Sequence, residues 1–289
     1  MIRLLASLSL TIFVAASCTG GAAPSALNSP ERASPTPLRV AHRGGAALAP
    51  ENTLAAFRSG IAQGADALEL DIHLSQDGRL IVMHDPSVDR TTDGAGFIAD
   101  LSLAELKALD AGARFKGPAQ VRQEIPTLEE VLALLAAAGN ERIGLQVEIK
   151  PRADGSRYAG IEEALVLALR AWRLVDRTAV ISFDFPSLQA VKRLEPGLRV
   201  YALAGKEFFK SAAAITPDQV ARSLANFGVD GVGVREQNLD RGLYEALRRA
   251  GLVIGAWTVD EPTRMRQLAA LGLDFITSNR PDLLKRVFP

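Results

Sequence analysis

Between Leu38 and Thr277 the chain repeats one unit, a short apolar segment of strand length followed by an amphipathic stretch of helical period. This alternation suits a parallel sheet, whose neighbouring strands need a crossover that a helix supplies while covering one face. Nine segments read as strands: Arg39–His42, Ala67–His73, Leu80–His84, Gly144–Ile149, Thr178–Phe183, Arg199–Leu203, Asp230–Val234, Val253–Thr258 and Asp274–Thr277. That is one too many for a closed eight-stranded barrel. The surplus falls at Asp77-Gly78, a pair that favours a tight turn, so Leu80–His84 is predicted to fold back antiparallel on the strand before it. A two-residue turn there would place His84 across from Asp71, and a longer loop would shift that register. Eight strands remain, each followed by a helical pattern such as Thr127–Ala138 or Glu261–Ala270. The expected fold is therefore α/β, a (β/α)8 TIM barrel of about the usual length. Residues 85–123 form a long excursion after the second strand, read as a small insertion with a helix near Ser102–Asp110.

Composition narrows the function classes. Thirty-three Lys and Arg balance thirty-three Asp and Glu, so no polyanion-binding surface is indicated and nucleic acid is not an expected partner. A single cysteine excludes an internal disulfide framework. That residue, Cys18, ends a leader with Arg3 in its basic start and an apolar run from Leu4 to Val14, too short to span a membrane. Ala15-Ala16-Ser17-Cys18 resembles the lipobox at which bacterial lipoproteins are cleaved and acylated, although Ala15 stands where Leu is preferred. Residues 1–18 are thus expected to be a signal peptide and residues 19–37, rich in Gly, Ala, Ser and Pro, a flexible tether. Residues 38–289 form the folded domain. The expected location is exported, periplasmic or at the cell surface, with membrane contact only through a lipid on Cys18; ordinary cleaved secretion is the alternative. Nothing in the sequence specifies an oligomeric state.

In barrels of this kind the reacting groups sit at the carboxyl ends of the strands. His42 and Arg43 end the first predicted strand, Glu69 and Asp71 lie on the second, His84 ends the folded-back segment, and Glu148 and Lys150 end the next. All are therefore expected at one mouth. Glu69 and Asp71 are two apart on a strand and share a face. Buried together they would repel and take up protons unless something positive lay between them. Two explanations fit: a divalent cation with Glu148 as a third oxygen ligand, for which all-oxygen ligation favours Mg2+ or Ca2+, or salt bridges to Arg43 and Lys150. Arg43 offers planar donors suited to two phosphate oxygens, and Lys150 a compact charge.

His42, Arg43, Glu51, Asn52, Glu69, Asp71, His84 and Asp85, with the later Glu148-Ile149-Lys150, resemble the glycerophosphodiester phosphodiesterase family. Arg90-Thr91-Thr92-Asp93-Gly94 and Thr277-Ser278-Asn279-Arg280-Pro281 extend the likeness from about Leu38 to Pro281. The resemblance implies metal-dependent hydrolysis of a small-molecule glycerophosphodiester to glycerol 3-phosphate and an alcohol. It places metal ligands at Glu69, Asp71 and Glu148, with Glu51 and Asn52 supporting them. It divides acid and base work between His42 and His84, assigned as general acid and general base respectively, with the exchange of roles left open. It also sets Phe183 and Trp257 in the substrate pocket, where each could instead be barrel packing. His73 has no fixed counterpart in the family and reads as an orienting or solvent-side residue. The alternative function is a related barrel phosphodiesterase acting on intact phospholipids, which would need an exposed apolar patch at the mouth; Gly96-Phe97-Ile98 is the nearest candidate.

Overall fold

The computed structural model describes residues 36–117, 121–212 and 215–289; the leader with Cys18, and the tether up to residue 35, lie outside them. Nine strands are present: β1 (Leu38–Ala41), β2 (Ala67–Leu74), β3 (Leu80–Val82), β4 (Gly144–Ile149), β5 (Thr178–Ser182), β6 (Arg199–Ala204), β7 (Gly231–Arg235), β8 (Val253–Trp257) and β9 (Phe275–Ser278). Eight are parallel, in the order β1-β9-β8-β7-β6-β5-β4-β2, and the pairing of β1 with β2 closes the barrel. The ninth, β3, runs antiparallel to β2. This is the expected (β/α)8 TIM barrel with one folded-back strand.

The register at that hairpin differs from the two-residue turn considered above. Ile72 faces Val82 and Leu74 faces Leu80. The Ser75 amide donates to the Arg79 carbonyl at 3.0 Å, leaving Gln76, Asp77 and Gly78 in a three-residue loop with Gly78 at φ 73°. A three-residue loop closed by a left-handed glycine is the next commonest hairpin after the two-residue one, and here the Ser75 hydroxyl favours it by bonding Asp77 at 2.6 Å and accepting from the Arg79 amide at 2.9 Å. The Met83 amide, not His84, consequently meets the Asp71 carbonyl.

Two apolar layers hold the barrel. Inside it, Val40, Ala67, Ala179, Ile181, Tyr201, Leu203 and Phe275 fill the lumen, with Tyr201 stacked on Phe275 at 5.8 Å. Gly255 makes this possible, since a Cβ there would come within 2.0 Å of the Phe275 ring. Outside, the helices bury residues such as Leu132, Leu165, Leu188, Leu224, Leu247 and Leu268 against the sheet, each such side chain contributing roughly 1.5–3 kcal/mol relative to exposure. The insertion carries its own small core of Met83, Val88, Ile98, Leu106, Ala111 and Ile125. Its short helix, Leu103–Ala108, starts at a reciprocal capping pair between Ser102 and Glu105, where the sequence placed it.

Candidate active site

Strand β2 organises the mouth. Eight residues long, it pairs with β4 along one edge, while its other edge is shared: its start, Ala67 and Leu68, lies against β1, and its end, Ile72–Leu74, against β3. Between those contacts lie Glu69 and Asp71. The chain arriving up β1 therefore delivers His42 and Arg43, and the chain coming back along β3 delivers His84, to the same stretch of β2. On the opposite edge the β2–β4 register sets Asp71 beside Glu148 and Glu69 beside Gln146.

After β1 the backbone turns sharply. Arg43, Gly44 and Gly45 all have positive φ, 51°, 83° and 109°. A Cβ on Gly44 would meet the Ala56 and Phe57 backbone at 2.7 Å, so glycine is required. Arg43 pays for its left-handed conformation through its contacts. Its amide donates to Glu69 Oε2 at 2.8 Å, its Nη1 to Glu51 Oε1 at 2.9 Å, and its Nε lies 3.6 Å from Asp71 Oδ2. Asn52, also left-handed at φ 57°, donates from Nδ2 to Asp71 Oδ2 at 2.8 Å.

Glu69, Asp71 and Glu148 are buried and bring carboxylate oxygens within 4.8 Å of one another. Burial, and then the Asp71 and Glu148 charges, push Glu69 well above the usual carboxylate range despite Arg43. Burial raises Glu148 to about 7 against the opposing pull of Lys150, whose Nζ donates to Glu148 Oε1 at 2.7 Å. Burial would raise Asp71 too, but Lys150 and Arg43 hold it below the ordinary range. The salt bridges expected as the alternative to a cation are thus real, yet they leave the cluster unsatisfied. Asp71 Oδ1 and Asn52 Oδ1 are buried without a hydrogen-bond partner; Lys150 Nζ, 3.5 Å from Asp71 Oδ1, forms an ion pair without satisfying it. Converging hard oxygen donors with open lone pairs, and carboxyls that retain protons near neutral pH, fit a divalent cation.

Each candidate histidine is anchored at Nδ1. His42 Nδ1 lies 2.7 Å from Asn279 Oδ1. Asn279 Nδ2 donates to Asp260 Oδ2, and Asp260 Oδ1 accepts from the Asn279 amide and Ser278 Oγ. The amide orientation is therefore set by a carboxylate, Oδ1 must accept, and the His42 proton sits on Nδ1 with Nε2 turned to the cavity. His84 Nδ1 donates to Asp85 Oδ1 at 2.6 Å, and Arg90 holds Asp85 while bonding both Glu51 oxygens at 2.6 and 2.9 Å. Burial and then Arg43 lower His42 to about 4. Burial also lowers His84, with the Asp71 charge opposing and Lys150 and Arg43 assisting.

His42, Arg43, Glu69, His84, Glu148, Lys150, Phe183 and Trp257 all line one cavity of about 150 Å3. Asp71, Glu51 and Asn52 stand behind them. Phe183 and Trp257 meet edge to face at 5.5 Å, and Trp257 is fixed by its Nε1 bond to the Gly233 carbonyl at 2.8 Å. His73 is not on the solvent side. It is fully buried, bonded to Tyr158 and to the His84 carbonyl at 3.1 Å each, because it continues the inward parity of β2 beneath the insertion. It orients the His84 backbone. Sequence reasoning missed Asn279 and Asp260 as the support of His42, Arg90 as the link between Asp85 and Glu51, and Gln146, buried in the cavity wall. Gln146 was readable from its two-residue spacing to Glu148; the Asn279–Asp260 pair joins His42 across the whole chain, and only the Thr277–Pro281 motif pointed to it.

The barrel and its mouth define an α/β hydrolytic enzyme whose reacting groups sit at the carboxyl ends of the strands around an acidic cluster. Residues 42–283 match the glycerophosphoryl diester phosphodiesterase family, and the chain belongs to that family as a glycerophosphodiester phosphodiesterase. It is 35% identical to the glycerophosphodiester phosphodiesterase of Caldanaerobacter subterraneus subsp. tengcongensis over 86% of this chain and 96% of the relative. Among solved structures it resembles an Oleispira antarctica phosphodiesterase in complex with the product sn-glycerol-3-phosphate, with TM-score 0.73 and 31% identity over 87% of this chain and 96% of the other. The glycerophosphodiester phosphodiesterase of Agrobacterium tumefaciens str. C58 aligns at TM-score 0.71 and 29% identity, over 87% of this chain and all of the other.

Proposed function

We propose that this mouth hydrolyses glycerophosphodiesters to glycerol 3-phosphate and a free alcohol, with Mg2+ or Ca2+ held by Glu69, Asp71 and Glu148 and supported by Asn52 and Glu51. The observation that carries this reading is the pairing of three converging buried carboxylates with two imidazoles, each anchored at Nδ1 and open at Nε2. The cation would supply Lewis-acid chemistry, drawing charge from the phosphate oxygens as it builds up.

The chain's own groups do the rest. Arg43 and Lys150 bind the non-bridging phosphate oxygens and offset charge in the transition state. His42, buried and neutral with its lone pair at Nε2, has the form of a base that takes a proton from the attacking oxygen. His84 rests on the Asp85 carboxylate, which stabilises an imidazolium and so suits it to protonate the departing alkoxide. These environments favour the exchanged assignment over His42 as acid and His84 as base. Phe183 and Trp257 wall the cavity against water and hold the organic part of the substrate. The product bound to the Oleispira antarctica phosphodiesterase supports glycerol 3-phosphate as the phosphate-bearing product here. The basic start and apolar run of the leader support export, with Cys18 as the anchor; labelled palmitate on the wild type and none on Cys18→Ser is the expected result, and an unlabelled wild type rejects the anchor.

The test of the activity is to strip the protein with chelator and measure glycerol 3-phosphate release from glycerophosphocholine and glycerophosphoethanolamine, with and without added cation. Cation-dependent release is expected. A folded, cation-loaded protein that cleaves neither ester rejects the reading in favour of an intact-phospholipid substrate.

A further inference from the structure

Strand β3 ends at Val82, and the chain bends through His84. The bond from His84 Nδ1 to Asp85 Oδ1 joins neighbouring residues, so it aims the imidazole relative to that bend and travels with it. Two bonds tie the bend itself to β2. The Met83 amide donates to the Asp71 carbonyl at 3.0 Å, and His73 Nε2 lies 3.1 Å from the His84 carbonyl. The second bond depends on where one proton sits. A carbonyl can only accept, so His73 must be protonated on Nε2, and in a neutral imidazole Nδ1 is then bare.

Which nitrogen of a neutral imidazole holds the proton is set by the partner of the other nitrogen. For His73 that partner is Tyr158, whose hydroxyl lies 3.1 Å from Nδ1. Burial raises this hydroxyl to about 12, so it keeps its proton and donates it to the bare nitrogen. The opposite tautomer would turn a lone pair of Nε2 toward the His84 carbonyl oxygen and exchange an attraction for a repulsion. The Tyr158 ring is well held. It stands edge to face on the His73 ring, 5.7 Å between centroids at 75°, with the Arg152 guanidinium over it at 5.2 Å. Tyr158 is only 4% exposed although it belongs to the loop between β4 and the helix Ile161–Ala171. The chain is pinned on both sides of it: the Arg152 amide donates to the Ser156 carbonyl at 2.8 Å, and Arg157 bonds Glu162 Oε1 at 2.7 Å and lies 3.2 Å from Asp184 Oδ2.

We propose that Tyr158 is a positioning residue for His84: its hydroxyl selects the His73 tautomer, and His73 in turn holds the main chain that carries the reacting imidazole. The inference rests on the catalytic reading of His84 above. The loop that leaves β4 just after Lys150 thereby also places the imidazole that follows β3, so one segment sets groups on both edges of β2.

The experiment joins a spectrum to kinetics on the full chain. The sequence holds three histidines, so a heteronuclear NMR spectrum of the imidazole nitrogens resolves each ring, with His73→Gln identifying the signal that belongs to His73. The wild type is expected to show His73 protonated at Nε2 alone, and Tyr158→Phe to show both tautomers. With cation loaded, Tyr158→Phe should lower kcat on glycerophosphocholine and glycerophosphoethanolamine about tenfold with KM unchanged, the size of one lost positioning hydrogen bond. In His73→Gln the side-chain amide donates to the His84 carbonyl with no tautomer to choose, so adding Tyr158→Phe should bring no further loss. Arg152→Ala, which uncovers the same ring and spares the hydroxyl, should keep the wild-type kcat. A wild-type His73 protonated at Nδ1, a kcat untouched by Tyr158→Phe, losses that multiply in the double variant, or an equal loss in Arg152→Ala would each overturn the proposal. A wild type that cleaves neither ester would instead overturn the catalytic reading, and the spectrum would still decide the tautomer.

Discussion

The two halves of the barrel mouth are built from different chemistry. From β1 to β4 the strand ends and the turns after them carry His42, Arg43, Glu69, His84, Glu148 and Lys150; from β5 to β9 the same cavity is walled by Ile181, Phe183, Leu203, Gly233, Trp257, Phe275 and Thr277. On the first side every charge is buried against another charge. On the second, none of these lining residues titrates. The contrast follows from the short edge contacts of β2, which admit two extra segments, the turn after β1 and the end of β3, beside one strand. Among the described residues, no strand from β5 to β9 has such a neighbour. The lesson is that an aromatic wall lowers the local dielectric for a charged floor opposite it, and each half depends on the other for its effect.

Breaking the charged half should have the largest consequences. Removal of divalent cation is expected to lower turnover by at least about a thousandfold, reversibly on adding back Mg2+ or Ca2+; a chelated enzyme with near-normal turnover would show that Arg43 and Lys150 suffice. His42→Ala and His84→Ala are each expected to lower kcat by about a hundredfold or more with circular dichroism unchanged, and near-wild-type turnover in either would remove that residue from proton transfer.

The acids should also leave a mark on stability. Glu148 is raised to about 7 in the folded protein, above the ordinary glutamate value, so its contribution is present below about pH 4.5 and is lost as pH rises through 7. Without cation, this should cost roughly 3 kcal/mol between pH 4.5 and 7. Added cation should recover it, and urea denaturation with and without cation at several pH values would show whether the gap widens in that direction. Asn279→Ala should be milder, about tenfold in kcat, since it removes one hydrogen bond that fixes the His42 tautomer; an effect confined to KM would separate Asn279 from that role. Smallest of all, Phe183→Ala on the aromatic side should raise KM several-fold with little change in kcat, because this half-exposed ring binds substrate and transition state alike. A large loss of kcat there would dissolve the contrast between the halves.

Much of this was readable in advance for physical reasons. Strand and helix periods are local, so the barrel and the surplus strand could be counted, and residues at strand ends are placed at the mouth by the fold itself. The inward face of β2 followed from the spacing of Glu69 and Asp71. What escaped depended on single side chains or on distance along the chain. The Ser75 hydroxyl lengthens the hairpin by one residue, which a dipeptide rule cannot register. Arg43 occupies a left-handed conformation that only its three carboxylate partners explain. Asp260 reaches His42 through Asn279, and no local pattern ties positions so far apart.

The three-residue hairpin at Gln76–Gly78 has a further consequence. Side chains on a strand alternate faces, so the length of that loop decides which residues of the returning segment look into the barrel. The hairpin thus works as a gauge, fixing how far the chain has advanced when it reaches His84. Length can be added beyond Asp85, within the insertion, without moving the imidazole. In the observed register Met83 rather than His84 meets Asp71, so His84 reaches the acids because β3 stops at Val82 and the chain bends after it. A residue added or removed between Ser75 and Arg79 would shift where that bend falls along β2 while leaving every barrel strand in place.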